Sequence, residues 1–402
     1  MRKYHYEARE QATNKIVKSI VQAESEHAAA KVLIQQGFTP INIKSADGDQ
    51  GIFGKLTSHI SSKDKVIFLR QLATLIGAGL PLSQSLRTVT EQTENKKLQE
   101  IIQDIVTEVE GGKSLSSAFK RYPEVFDTIV IALVTAGETS GTLDEALKRV
   151  ALQKEKDAET ISKIRGAMVY PSIVMLVIVG VMVFMLVSVV PQVEDLYDNL
   201  GQSLPWLTEM LIGASNIIMN FWWLIFIILG LIGYFTAQYL KTDSGIHVKD
   251  TFKLNVPLFN SLFRKMYMAR FTRTGQTLLA TGVAMLDMLR ISADSVNNVI
   301  IAEEINRAAE KVKGGKELSF ALEKEEYILT MVPQMIKIGE QAGKIDEMMG
   351  KTAQVYEDEL ESEIKGLTTT IEPLLMVVMA VAVGGMVGAI LFPIYSLVNK
   401  IH

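Results

Sequence analysis

Two segments of the chain hold residue types that could do chemistry. TAGETSGTLDEAL, Thr135 to Leu147, sets Glu138 and Asp144 among glycines and hydroxyls, oxygen donors of the kind a hard cation such as Ca²⁺ prefers. Two acids fall short of the roughly six to eight oxygens such an ion takes, and no EF-hand spacing is present. Glu138 and Asp144 are the candidate metal ligands, weighed against a plain turn between helices. GGKS, residues 111–114, carries the GKS end of a phosphate-binding loop. The glycine that such a loop needs at position 107 is Thr107, and an amphipathic helix precedes it instead of a strand. A helix stop followed by a Ser114 cap explains these residues better.

The five histidines are scattered and never take an HExxH-like spacing. No Ser/His/Asp arrangement and no catalytic carboxylate pair can be argued, and EDELESE, 357–363, reads as a solvated helix face. The expectation is a protein with no catalytic residue and no cofactor.

The elements that must position these residues follow from composition. Hydrophobic residues make up 48% of the 402, against 21% charged, and the mean hydropathy is +0.21, a balance that points to membrane segments. A net charge of −4 gives no general attraction to nucleic acid. The absence of cysteine excludes disulfides, thiol nucleophiles and Cys-based zinc sites. The N-terminus has no apolar stretch of the signal-peptide kind.

Residues 166–193, 210–240 and 373–399 carry no charge, and each run exceeds the roughly 20 residues an α-helix needs to cross the hydrocarbon. Between the first two, Pro191 to Glu209 has acids and no Lys or Arg. Lys154, Lys156, Lys163 and Arg165 precede the first run, while Lys241, Lys249 and Lys253 follow the second. The positive-inside rule therefore puts the N-terminus and both large hydrophilic regions in the cytoplasm. Trp222 and Trp223 are expected at the outer end of the second span. Gly384 and Gly388 form a GxxxG pattern suited to membrane-helix packing.

The hydrophilic regions are copies of one another. FLRQLATLIGAGLPLSQSLR, 68–87, aligns with FTRTGQTLLATGVAMLDMLR, 271–290, and EGGKSLSSA, 110–118, with KGGKELSFA, 313–321. After a one-residue deletion AGETSGTLDEAL returns as IGEQAGKIDEMM, so Gly137, Glu138, Gly141 and Asp144 recur as Gly339, Glu340, Gly343 and Asp346. Tyr170-Pro171 then matches Glu372-Pro373, and Pro191 matches Pro393. Apolar spacing within each copy predicts about six antiparallel helices broken at glycine turns, including helices near 114–120, 124–137 and 142–165. In the first copy Thr142 and Glu145 fit a capping box. Glycine at the repeated turns supplies the positive φ that ends one helix before the next. These eight turn residues are candidates either for helix–turn–helix geometry or for partner docking.

The first residues differ. RKYHYEA, KIVKSIVQA and PINIKS read as strands and SEHAAAKVLIQQG as a helix. The reading is an all-α membrane protein with a small N-terminal α+β cap (1–46), a linker (47–62), a first cytoplasmic helical bundle (63–165), transmembrane helix 1 (168–190), a short extracytoplasmic connection (191–209), transmembrane helix 2 (214–240), a second bundle (265–368) and transmembrane helix 3 (373–398).

Taken together, the cap, the paired F-x-R helical domains, the GE-x-x-G-x-(L/I)-D turns, the YP and EP span entries and three spans in this order resemble the secretion F family. These are the inner-membrane platform proteins of type II secretion systems and type IV pilus assembly, and the resemblance covers nearly the whole chain. It implies a non-enzymatic, multi-pass protein of the bacterial inner membrane, with its N-terminus in the cytoplasm. The implied partners are a cytoplasmic hexameric assembly ATPase, pilins or pseudopilins, other inner-membrane assembly proteins and further copies of itself. The alternative is a membrane receptor or transporter with duplicated cytoplasmic regulatory domains, although no charged residue inside a span marks an ion path.

Overall fold

A computed structural model describes residues 2–10, 16–23, 28, 30, 32–33, 38–45, 60–199, 206–257 and 259–401. Of the expected linker (47–62), residues 47–59 lie outside the described residues. In the cap, β1 (Arg2–Glu10) pairs antiparallel with both β2 (Ile16–Ala23) and β3 (Phe38–Ser45), giving the order β2-β1-β3 with an irregularity between Glu7 and Ala8. The described residues of the expected cap helix, Ala28, Ala30, Val32 and Leu33, are helical, and Leu33 is fully buried.

The first copy comprises α1 (Ser62–Gly77), α2 (Leu82–Gln92), α3 (Lys96–Glu110), α4 (Leu115–Phe119), α5 (Thr128–Ser140) and α6 (Leu143–Phe184). A π-helical turn, Met185–Val189, leads into α7 (Val190–Asn199). Next come α8 (Trp206–Tyr239) and α9 (Asp243–Asn255). The second copy is α10 (Asn260–Ala280), α11 (Met285–Val296), α12 (Val299–Lys313), α13 (Leu318–Glu323), α14 (Met331–Ala342) and α15 (Ile345–Ile401).

Helix starts follow local chemistry. Ser61 and Asp64 close a reciprocal capping box on α1, Asn95 caps α3, and Asp127 caps α5 by accepting from the Val130 amide. Asp127 explains why α5 starts at 128 and not near 124: the preceding Pro123-Glu124-Val125 forms a turn.

One apolar core joins the two copies. Phe68, Phe119 and Phe126 cluster in the first, with the Phe119 and Phe126 rings stacked at 3.9 Å, and Tyr267, Phe271 and Leu278 are buried in the second. Across the seam α5 and α6 pack on α10, α11 and α15.

Among the described residues three helices are long and apolar enough to cross a membrane: Leu143–Asp195 as a continuous helical run, Thr208–Tyr239 and Ile345–Gly388. In each copy the last bundle helix and the span are one element, since α6 continues through Pro171 and α15 through Pro373. Trp222 and Trp223 lie midway along α8, next to a backbone break at Phe221 (φ −120°, ψ 18°). A Cβ placed on Gly384 or Gly388 would meet nothing within 4 Å, so among the described residues no other helix of this chain covers that face.

Candidate functional site: the paired GE turns

Each GE turn is built by three neighbouring elements. α5 ends at Gly141, whose φ of +74° is left-handed, and α14 ends at Gly343 with φ +69°. The amide after each glycine folds back onto the helix, Thr142 donating to the Gly137 carbonyl at 2.9 Å and Lys344 to that of Gly339 at 2.8 Å. The first glycine of each motif has another reason to be there. A Cβ on Gly137 would lie 2.5 Å from Ala146 Cβ, and one on Gly339 would lie 2.8 Å from Ile345 Cα. Only glycine lets the next helix cross this closely.

Between these glycines Glu138 turns inward. Its carboxylate accepts from the Leu115 and Ser116 amides (2.5 and 3.2 Å) and from the Ser116 hydroxyl (2.5 Å). Glu340 repeats the arrangement with the Leu318 and Ser319 amides (2.6 and 3.3 Å) and the Ser319 hydroxyl (2.5 Å). Each glutamate thus caps the first turn of the short fourth helix of its copy, α4 or α13, where free amides and the helix dipole favour an anion. The two recurring motifs, GGK-x-LS and GE-x-x-G, are halves of one joint. Sequence reasoning missed Ser116 and Ser319, although both recur at matched places.

The remaining candidates fall into line around this joint. Ser114 caps α4 by accepting from the Ser117 amide at 3.2 Å, and Gly112 and Gly315 take φ of +87° and +85° just after α3 and α12. The chain's own carboxylate therefore occupies the place where a phosphate would have to bind. Asp144 is exposed and Asp346 half-buried, each in the first turn of its helix, α6 or α15, where it complements the helix dipole. Among the described residues no group of three or more His, Cys, Asp or Glu converges on a possible metal position. With three donors on its oxygens, Glu138 is committed to the helix end.

The expected capping box at Thr142 does not form. With φ −112° and ψ 43° at that residue its hydroxyl meets Ser140 Oγ at 2.7 Å, and no amide of α6 reaches it.

Below the spans, α6 and α15 meet at a second feature. Lys163 pairs with Glu361 at 2.6 Å, and Ile164 and Ala167 pack with Leu360, Ile364 and Leu367 against Leu262. The bonds from Lys163 and Lys365 hold the Glu361 carboxyl down at about 2. EDELESE is therefore not a merely solvated face. Glu357 makes a two-pronged bridge with Arg273 at 2.8 Å, Glu359 and Glu363 pair with Lys265, and Ser261 also donates to Glu363.

Deeper in the seam a cavity of about 390 Å³ separates the copies, lined by Lys65, Asp127, Lys154, Asp157, Arg270 and Asp294. Burial pushes the Asp157 carboxyl above the usual range, against the pull of Arg270 and Lys154. Burial likewise lowers the Lys65 ammonium, which donates to the Glu124 carbonyl at 2.7 Å.

A duplicated helical domain, each copy continuing into a membrane helix, is also the pattern found by comparison with known proteins. The family model for type II secretion system protein F matches this chain twice, at residues 68–191 and 271–393. The chain belongs to the type II secretion system protein F family. Within this family it is 35% identical to the type IV pilus assembly protein PilC of Thermus thermophilus, over 99% of this chain and 98% of the relative. It is 33% identical to PilC of Pseudomonas aeruginosa, over 92% and 98% of the two chains. The type II secretion system protein F of Aeromonas hydrophila is 32% identical over 95% of this chain and all of its own length. The matched segments include both GE turns and the entries to spans 1 and 3, so the joint described above lies in the part of the chain that defines the family.

Proposed function

We propose that this chain is a non-enzymatic inner-membrane platform that couples a cytoplasmic assembly ATPase to the insertion of pilins or pseudopilins into a growing filament. The observation that carries this reading is the continuity of α6 and α15. Each starts at a GE turn, runs the length of its bundle and enters the membrane without a break. A helix carries axial and lateral displacement as a unit, so a push on either bundle reaches a span. The Lys163–Glu361 bridge and the apolar contacts beside it make the two spans respond together. Lys and Arg on the bundle side of spans 1 and 2 favour cytoplasmic bundles and a cytoplasmic N-terminus. In this reading the eight turn residues are structural. They set the angle at which each span helix leaves its bundle.

Deleting the gene should abolish surface filaments or secretion while pilin levels stay normal, and normal filaments in the deletion strain would sink the platform reading. The mechanical part is tested by inserting Gly-Ser-Gly after Arg165. This should leave the chain inserted in the membrane, with both bundles resistant to protease, and stop filament growth. Wild-type assembly by that variant would show that force does not pass through α6.

A further inference from the structure

The duplication supplies an internal control for surface chemistry, because a side chain that the fold itself requires should recur at the matching position. The GE turns lie at the ends of the copies farthest from the membrane. α6 and α15 begin there and reach Tyr170-Pro171 and Glu372-Pro373 only after roughly 40 Å of helix. Around this tip the first copy presents Ser117 on α4 and Thr135, Ala136 and Thr139 on α5. The second copy presents Phe320 on α13 and Lys337, Ile338 and Gln341 on α14.

Phe320 is 45% exposed and Ile338 is 52% exposed, so neither is filling the core. Ser117 and Ala136 also demonstrate that this fold closes with a hydroxyl and a methyl at the same places. The ammonium groups of Lys316 and Lys324 each lie 5.7 Å from the centre of the Phe320 ring, within cation–π range. Lys313 and Lys344 are bridged to Glu310 and Glu347. Among the described residues Lys316, Lys324 and Lys337 have no carboxylate within ion-pair distance. Glu317, just before α13, and Glu323, its last residue, lie three positions either side of Phe320, so a complementary surface has to be patterned and not uniformly negative.

We propose that the membrane-distal tip of the second copy is a protein-docking surface, whose partner offers an apolar pocket rimmed by acidic side chains. Phe320 and Ile338 are its anchors, and Lys316, Lys324 and Lys337 its electrostatic guides. Aromatic residues are enriched at interfaces, and a few anchors seated in desolvated pockets carry most of the binding energy. The proposal rests on the platform reading in one respect, that the assembly ATPase is the partner assigned to the surface. The first copy's tip, with Ser117, Thr135, Ala136 and Thr139 at the same places, is not equivalent to it.

The test is binding of the purified cognate assembly ATPase to the full chain in nanodiscs, measured by biolayer interferometry. F320S/I338A gives the second copy the residues of the first and should weaken binding about tenfold or more. K316E/K324E/K337E should slow association and flatten its dependence on salt, and it leaves the apolar positions untouched should the first variant fold poorly. S117A/T139A at the first tip should bind like wild type. If wild type binds and both second-tip variants stay within twofold of it, the docking surface is wrong and the platform reading survives. If wild type itself does not bind the ATPase, the coupling reading fails and takes this assignment with it.

Discussion

The two copies reach the same joint by different local chemistry, and the contrast separates what the fold demands from what it tolerates. Both keep the crossing glycine, the inward glutamate, the left-handed glycine and the serine on the capped helix. Around them the charges are free to invert. In the first copy α3 supplies the acid, Glu108, which meets Arg121 beyond α4, while Asp104 accepts from the Tyr122 hydroxyl at 2.9 Å. In the second, α12 supplies the bases, and Arg307 and Lys311 each meet Glu325 at 2.7 Å. Burial would raise the Glu325 carboxyl, but these two partners bring it below the usual range. A pair that can swap polarity contributes through complementarity alone. The GE joint, whose two glycines, glutamate and serine are the same in both copies, is held by sterics and by an anion at a helix end.

That division is best broken at the glycines. Gly137→Ala and Gly339→Ala should be the most damaging single changes in either bundle. The new methyl would be forced against Ala146 Cβ and Leu143 Cα in one copy and against the Ile345 backbone in the other. A cost of about 3 kcal/mol or more is expected from such overpacking. It is read as a fall in the thermal midpoint of the helical signal in nanodiscs, with early protease cleavage of the affected copy. If either alanine variant melts like wild type, the close crossing is not what the motif protects.

The glutamates rank next, and here the copies should differ. In the first, Ser114 caps α4 beside Glu138, whereas in the second Glu317 makes no cap bond and Glu340 works alone. Glu340→Ala should therefore cost more, about 3 kcal/mol against about 2 for Glu138→Ala, since bonds to a charged acceptor are worth about 1.5–3 kcal/mol each. Adding Ser114→Ala to Glu138→Ala should close the gap by about 1 kcal/mol. Equal effects of the two single variants would mean that Ser114 adds nothing to the first joint.

How much of this could be read from the residues alone depended on the distance over which each interaction acts. The helix-ending glycines were legible because positive φ leaves a local mark, and the repeat displayed it twice. The destination of Glu138 was not legible, because its partners lie 22 and 23 residues away in sequence and only folding brings α4 under α5. Even so, a glutamate and a serine recurring at matched offsets was a usable signal. EDELESE was misread for the same reason on a larger scale, because its cations come from α10 and α6, up to 198 residues away. The Thr142 capping box failed for a local reason. The tight turn after Gly141 leaves that residue at φ −112°, ψ 43° and turns its hydroxyl toward Ser140. A reciprocal capping box of that kind is present 81 positions earlier, at Ser61 and Asp64.

The smallest effects concern two acids on the seam between the copies, and they should have opposite signs. Asp157, on α6, faces Arg270 from α10, Lys154 from its own helix, Asp127 at the start of α5 and Glu357 from α15, and burial raises its carboxyl above the ordinary 3.8. The folded state then holds its proton more tightly than the unfolded one. This group's contribution is most favourable at low pH and declines as pH climbs from the ordinary aspartate range through the raised value. Asp157→Asn should thus stabilise the protein modestly at pH 7, by under about 1 kcal/mol, with the gain fading on acidification. Glu361, with its carboxyl lowered from 4.5 to about 2, behaves in reverse. Its bridge to Lys163 is fully present above the ordinary glutamate range and is lost as pH falls from there toward about 2. Glu361→Gln should lower the melting midpoint slightly at pH 7 and converge on wild type in acid. Melting curves of both variants in nanodiscs from pH 7 down to 3 test the pair. If both changes shift stability in the same direction at pH 7, the seam is not divided into a site that resists charge and one that depends on it.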